Sequence, residues 1–194
     1  MGIRCAERED IPQILDIYGP YVTESTATFE YTVPTVEEFT RRFAKITEQF
    51  PFLVWEEEGT VLGYAYASAP FERAAYAWCA EPSIYLAPQA QGKGIGKKLY
   101  AALEQILCLQ GYRVCYALIT TENTHSLAFH EHMGYRPLAE FPQCGWKFDR
   151  WLGVTWMEKR FNAVDIPSNV PAKAEVIVKN NRKMRHILDN LSLF

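Results

Sequence analysis

Residues 84–98 read Ile-Tyr-Leu-Ala-Pro-Gln-Ala-Gln-Gly-Lys-Gly-Ile-Gly-Lys-Lys: an apolar strand, a turn headed by proline and studded with glycine, then the opening of a helix. A helix N-terminus offers unpaired backbone N–H groups and the positive end of the peptide dipole, which together make an anion site. Glycines let the backbone approach a phosphate closely and adopt dihedrals that a side chain forbids. Lys93, Lys97 and Lys98 add positive charge around the same turn. The natural guest is a pyrophosphate. Two common nucleotide patterns fail: Gln91 stands where a Walker A loop needs its first glycine, and Lys97 stands where the third glycine of GxGxxG should fall. The spacing that fits is Gln91-x-x-Gly94-x-Gly96.

Working outward, the helix after the turn spans about 94–110, with Ile95, Leu99, Leu103, Ile106 and Leu107 on one side and Gly111 as its stop. Upstream, residues 76–86 form a strand interrupted by Pro82, which predicts a bulge or an edge. Strands over 52–56 and 61–69 flank a hairpin turn at 57–60. At the start, a strand over 3–6 precedes a helix with Asp10 as N-cap and Gln13 completing a capping box, stopped by Pro20. A long loop over 21–34 leads to a second capping box at Thr35 and Glu38 and its helix. Downstream come a strand over 113–119, a helix over 123–133 ended by Gly134, and strands over 136–144 and 151–160. The order is that of a mixed α/β domain. Residues 162–175 look like a linker, and 179–193 like a basic amphipathic helix.

Composition narrows the class. With 194 residues, 48% hydrophobic and 14% aromatic, the chain reads as one folded domain. A formal charge of −3 gives no basic surplus for nucleic acid. The five cysteines are odd in number and lack CxxC spacing, so neither a disulfide framework nor a metal site is expected. No apolar run is long enough to span a bilayer. The expectation is a cytoplasmic protein.

The glycine turn resembles the coenzyme A turn of GCN5-related N-acetyltransferases (GNAT). A second segment agrees: Asn123 and Ser126, then Phe129, His130, Glu131, Gly134 and Tyr135, resemble the next part of that family's signature. Residues 28–31, Arg73, Tyr76, Trp78 and Glu81, with the ending Trp151 to Trp156, are similar to the phosphinothricin and methionine sulfoximine acetyltransferase branch. The resemblance implies a GNAT fold over 1–161, with a central mixed, twisted sheet of about seven strands flanked by about four helices, and a C-terminal helical extension over 162–194. It also implies acetyl-CoA as co-substrate, a small amino-acid-like amine as acceptor, and a homodimer.

Residue by residue, it implies coenzyme contacts from Ile84, Tyr85, Leu86, Gln91, Gly92, Lys93, Gly94, Ile95, Gly96, Lys97, Asn123 and Ser126. Acceptor contacts fall to Phe29, Glu30, Arg73, Tyr76 and Ser83. An amine must lose a proton before it attacks a thioester, and a carboxylate in an apolar strand suits that task. Glu81 is therefore the expected base, and its setting predicts a raised pKa. His130 stands where many relatives carry a tyrosine that protonates the thiolate, and is the second catalytic candidate; a structural histidine is the alternative. A backbone N–H around Leu86 is expected to meet the developing oxyanion, and His125 is given no role. Two departures, Pro82 after the base and Phe71 where herbicide-acetylating members carry lysine, put the acceptor's identity in question. Rival readings are another amine, such as a polyamine met by the acidic run Glu56, Glu57 and Glu58, a protein N-terminus, or a non-catalytic acyl-CoA-binding protein.

Overall fold

A computed structural model describes residues 2–161 and 169–180. In chain order the elements are β1 (Gly2–Cys5), α1 (Ile11–Thr23), α2 (Val36–Thr47), β2 (Phe52–Glu57), β3 (Thr60–Ser68), β4 (Cys79–Leu86), α3 (Ile95–Gln110), β5 (Val114–Thr120), α4 (Thr124–His132), β6 (Arg136–Lys147), β7 (Arg150–Arg160) and α5 (Ala174–Asn180). Seven strands form one sheet in the order β1-β2-β3-β4-β5-β7-β6. Only β4 and β5 are paired parallel; the other neighbours are antiparallel.

That parallel pair positions the site. β4 and β5 are joined only at Cys79–Val114 and Ala80–Cys115, and then part. Ala67 gives its N–H to the Pro51 carbonyl on the β2 side, so its cross-strand partner Pro82 turns its own backbone edge toward β5. Proline has no N–H to offer, and the ladder ends just before it. Pro82 makes no bulge against β3, where the register is unbroken; it marks an edge inside the sheet. Strand side chains alternate between faces. Tyr85 accordingly meets Tyr18 and Tyr21 of α1, while Leu86 meets Gly96 of α3. The helices thus sandwich the central strands, with Leu99, Leu103, Ile106 and Leu107 of α3 fully buried.

Several local expectations change. Asp10 stands at the N-cap of α1 as expected, but its side chain makes no cap bond; its carboxylate accepts the Glu7 N–H at 2.7 Å and two guanidinium nitrogens of Arg4. Gln13 instead accepts the Val61 N–H and ties α1 to the β2–β3 hairpin. Pro20 lies inside α1 rather than ending it, because its carbonyl still accepts from Glu24 and the turn beyond it buries Val22. β6 continues to Lys147, past the expected end at 144, and turns through Phe148 and Asp149 at φ 52° and 57°, uncommon for residues other than glycine.

The expected linker over 162–175 is, in its described part, docked chain. Trp78 Nε1 donates to the Asn169 carbonyl at 3.0 Å. Gln110 Nε2 donates to the carbonyls of Ala172 and Gln49 at 2.7 and 2.8 Å. α5 begins at Ala174, inside that expected linker, and packs on α3. The helix expected over 179–193 lies almost wholly outside the described residues.

Candidate active site

Where β4 and β5 part, a cleft of about 660 Å³ opens. It brings together Glu81, Ser83, Ile84, Tyr85, Leu86, Gln91, Gly96, Asn123, Ser126 and His130 of the expected residues. Gly92, Lys93, Gly94, Ile95 and Lys97 continue from it along the turn and into α3 without lining the cleft itself.

The turn has the form of an anion cradle. Gly94 is the N-cap of α3, at φ 76°, and no side chain caps the helix. Its carbonyl takes the first helical bond, from Lys98 at 3.2 Å, so the N–H groups of Ile95, Gly96 and Lys97 lack helical partners. The Ile95 side chain is buried, and its contribution to the cradle is backbone alone. A Cβ on Gly96 would stand 3.2 Å from Leu86 Cδ1, so glycine lets the start of α3 sit against β4. Lys93 and Lys97 are exposed at the rim, and Lys97 Nζ reaches His132 Nε2 at 3.4 Å. Lys98 turns away, over the Trp55 ring. Uncapped N–H groups, open space at Gly92 and Gly94 and two exposed lysines fit the diphosphate of coenzyme A.

On β4 the alternation that turns Pro82 toward β5 also turns the backbone groups of Ile84 and Leu86 into the gap. Those of Leu86 are already engaged. Tyr21 Oη donates to the Leu86 carbonyl at 2.7 Å and accepts its N–H at 3.3 Å. The N–H free to face a carbonyl oxygen in the gap is therefore that of Ile84, two residues from the expected position. Nothing in the sequence singles out Tyr21.

Across the gap, Asn123 Oδ1 caps α4 by accepting the Ser126 N–H at 3.1 Å, leaving its amide nitrogen for a ligand. His130 is 4% exposed, ringed by Tyr100, Phe129 and Tyr135. Its Nδ1 donates to the Ser126 carbonyl at 2.8 Å, so its Nε2 accepts from Tyr100 Oη at 2.9 Å. Burial lowers its pKa, only partly opposed by the Ser126 bond, so the ring is neutral with both nitrogens engaged.

The Glu81 side of the cleft is assembled from distant pieces. Glu81 is half-buried, and burial alone raises its pKa. It shares a sheet face with Ser83 and Tyr85. The α1–α2 loop lies over this face, and Ser25, Thr26 and Ala27 line the cleft. Phe29 and Glu30 stand outside the cleft lining: the Phe29 ring covers Gly145 of β6, and Glu30 is ion-paired with Arg42 of α2. Arg73 and Tyr76 do not line the cleft either; Arg73 is exposed with no ion pair among the described residues, and Tyr76 packs on Phe71, which contacts Tyr116 and Trp156. Conversely His125, given no role by the sequence, lines the cleft with Glu122, Phe148 and Arg150. Arg150 bonds Glu122 through both guanidinium nitrogens, and Glu122 also accepts from Thr26 at 3.0 Å. The acidic run on the β2–β3 turn does not line this cleft, and two of its members are engaged elsewhere: Glu56 pairs with Arg4, and Glu57 accepts from Trp55 Nε1. Among the described residues no cluster of potential ligands could hold a metal ion, and no helix is long and apolar enough to cross a membrane.

Comparison with known proteins agrees with this geometry. The Acetyltransferase (GNAT) domain family matches residues 3–156. The chain is 36% identical over 167 residues to the phosphinothricin N-acetyltransferase of Alcaligenes faecalis, covering 84% of each protein. It is 35% identical over 159 residues to the L-methionine sulfoximine/L-methionine sulfone acetyltransferase of Salmonella typhimurium, covering 81% of this chain and 93% of that one. Among solved structures, the Sinorhizobium meliloti phosphinothricin acetyltransferase in complex with AcCoA superposes with a TM-score of 0.81 at 36% identity, over 88% of this chain and 92% of that one. With a glycine cradle, a parted strand pair and these relatives, the chain belongs to the GNAT acetyltransferase family.

Proposed function

We propose that the chain moves the acetyl group of acetyl-CoA to the amino group of a small amino-acid-like acceptor, with Glu81 receiving the amine's proton. Acetyl-CoA supplies an activated thioester. The observation that carries the reading is Glu81 itself: a half-buried carboxylate, raised in pKa by burial, on the strand whose other end meets the glycine cradle. The named activities of the relatives support the same acceptor class. The Ile84 N–H faces the gap and would stabilise charge developing on the thioester oxygen. Asn123 would hold the coenzyme arm through its free amide nitrogen. His130, with both nitrogens engaged, acts as a positioning residue that fixes the start of α4.

We read residues 1–161 as the catalytic domain and 162–194 as an extension, whose described part, 169–180, packs on it. Exposed Leu138, Phe141, Trp146 and Trp151 on the outer strands support a homodimer, and five unpaired cysteines support a reducing, cytoplasmic setting.

The test is thiol release from acetyl-CoA against phosphinothricin, methionine sulfoximine, methionine sulfone, ordinary amino acids and spermidine. Turnover of amino-acid acceptors is expected; turnover of spermidine alone would refute the assignment. Because Glu81 must be ionised to act, the rate should fall as pH drops through a pKa above the ordinary carboxylate value of about 4.3.

A further inference from the structure

Of the buried charged side chains outside the mechanism, Asp10, Glu104 and Glu158 are ion-paired, and among the described residues Lys147 is not. Lys147, at the end of β6, is 2% exposed. Its ammonium donates to the carbonyl oxygens of Ser25 and Thr28, each at 2.7 Å, and lies 5.0 Å from the centre of the Phe148 ring. Among the described residues no carboxylate bonds it, and the nearby opposite charge, Glu30, is committed to Arg42. Burial lowers its pKa. A buried ammonium is costly, and a well-packed apolar side chain usually stabilises a fold as well or better.

What it holds is specific. Ser25 and Thr28 bracket the stretch of the α1–α2 loop that lines the cleft and leads into Phe29. The two residues before Lys147 grip the same loop. Gly145 leaves room for the Phe29 ring, and the Trp146 carbonyl accepts from Tyr31 Oη. Three consecutive residues of one strand therefore fix one loop by three different means: empty space, a carbonyl and an ammonium.

We propose that Lys147 is a positioning residue for the acceptor, acting through the Ser25–Thr28 carbonyls to set the wall of the acceptor half of the cleft. The proposal rests on the acetyl-transfer reading above and makes no claim on coenzyme binding, since the bonds of Lys147 go to the α1–α2 loop and not to the glycine turn or α4.

Steady-state kinetics with a turned-over amino acid, calorimetric titration of acetyl-CoA and thermal unfolding should be run on the full chain and on Lys147→Met, Lys147→Arg and Gly145→Ala. Lys147→Met should lose about 100-fold in kcat/KM for the acceptor, as a small misplacement near a reacting group does. Its acetyl-CoA affinity should stay within about threefold of wild type, the scale of an unperturbed site. Lys147→Arg should restore part of the loss. Gly145→Ala, which drives a methyl group into Phe29 without removing charge, should reproduce the acceptor defect and decides the matter if Lys147→Met does not fold. Unchanged acceptor kinetics, or parallel loss of acceptor turnover, coenzyme affinity and melting temperature, would overturn the proposal while leaving wild-type acetyl transfer intact. A wild-type chain that acetylates no amine defeats both.

Discussion

On the proposed reading, the coenzyme half and the acceptor half of the cleft are built in opposite ways. The coenzyme half is nearly contiguous: strand, turn and helix start all fall within residues 84–98, and the binding groups are mostly backbone. The acceptor half is stitched across the chain. Lys147 reaches Ser25 over 122 positions, and Thr120 reaches the Thr26 carbonyl over 94. A local backbone device tolerates most side chains except at its glycines. A long-range one depends on single side chains whose partners are carbonyl oxygens, which carry no sequence identity.

The largest effect that would test this division is at Glu81. Glu81→Gln should cut kcat/KM for the acceptor by about 10²–10⁴ and abolish the acid limb of its pH profile. Acetyl-CoA titration should be unmoved; a matching loss there would mean that the halves are not separable. The same substitution tests the burial of the carboxylate. A raised folded-state pKa means that lowering the pH through it stabilises the wild type relative to neutrality, so the variant should gain stability at neutral pH and lose that advantage as pH falls from the folded-state pKa to the unfolded value.

Next is Gly94→Val, the mirror experiment. A β-branched residue at φ 76° is strained by about 1–3 kcal/mol, which predicts coenzyme affinity reduced about ten- to hundredfold with the acceptor KM little changed. Acetyl-CoA titration reads it directly.

Tyr21→Phe sharpens the boundary, because that hydroxyl belongs to α1 yet serves β4. Stripping it leaves the Leu86 amide and carbonyl without their partner, at a stability cost of about 1 kcal/mol by chemical denaturation. With the Leu86 N–H released into the gap, both substrates' constants should shift modestly together. The smallest expected effect is Glu122→Gln. The pair with Arg150 is solvent-exposed and screened, so the melting temperature should hold. Any change should appear in acceptor KM, since Glu122 also holds Thr26.

Legibility in the sequence followed the same divide. The glycine turn, the α2 cap at Thr35 and the β2–β3 hairpin are local signals, and each element stands where its signal put it. Glu81 could be chosen from its apolar strand, and its raised pKa follows from that burial. Tyr21, His125, Lys147 and Arg150 could not be found this way: a tyrosine in a helix or a lysine in a strand looks like any other until the chain folds back on it. Pro20 misled because the helix rule weighs one missing hydrogen bond and cannot see the burial of Val22 beyond it. Asp10 marked the helix start correctly, but its carboxylate serves Arg4 rather than the helix, because a capping residue and a partner for Arg4 share one composition.

The amides of Gln49 and Gln110 have a bearing on how the molecule is made. Both hand their protons to carbonyls of residues 171–172, and Gln110 does so from a site only 3% exposed. As a nascent chain leaves the ribosome from its N-terminus, the sheet can be complete through Arg160 while this corner still waits. Recombinant versions trimmed at Phe161 would inherit that unfinished corner permanently, and should melt earlier and clump more readily even with every catalytic group in place.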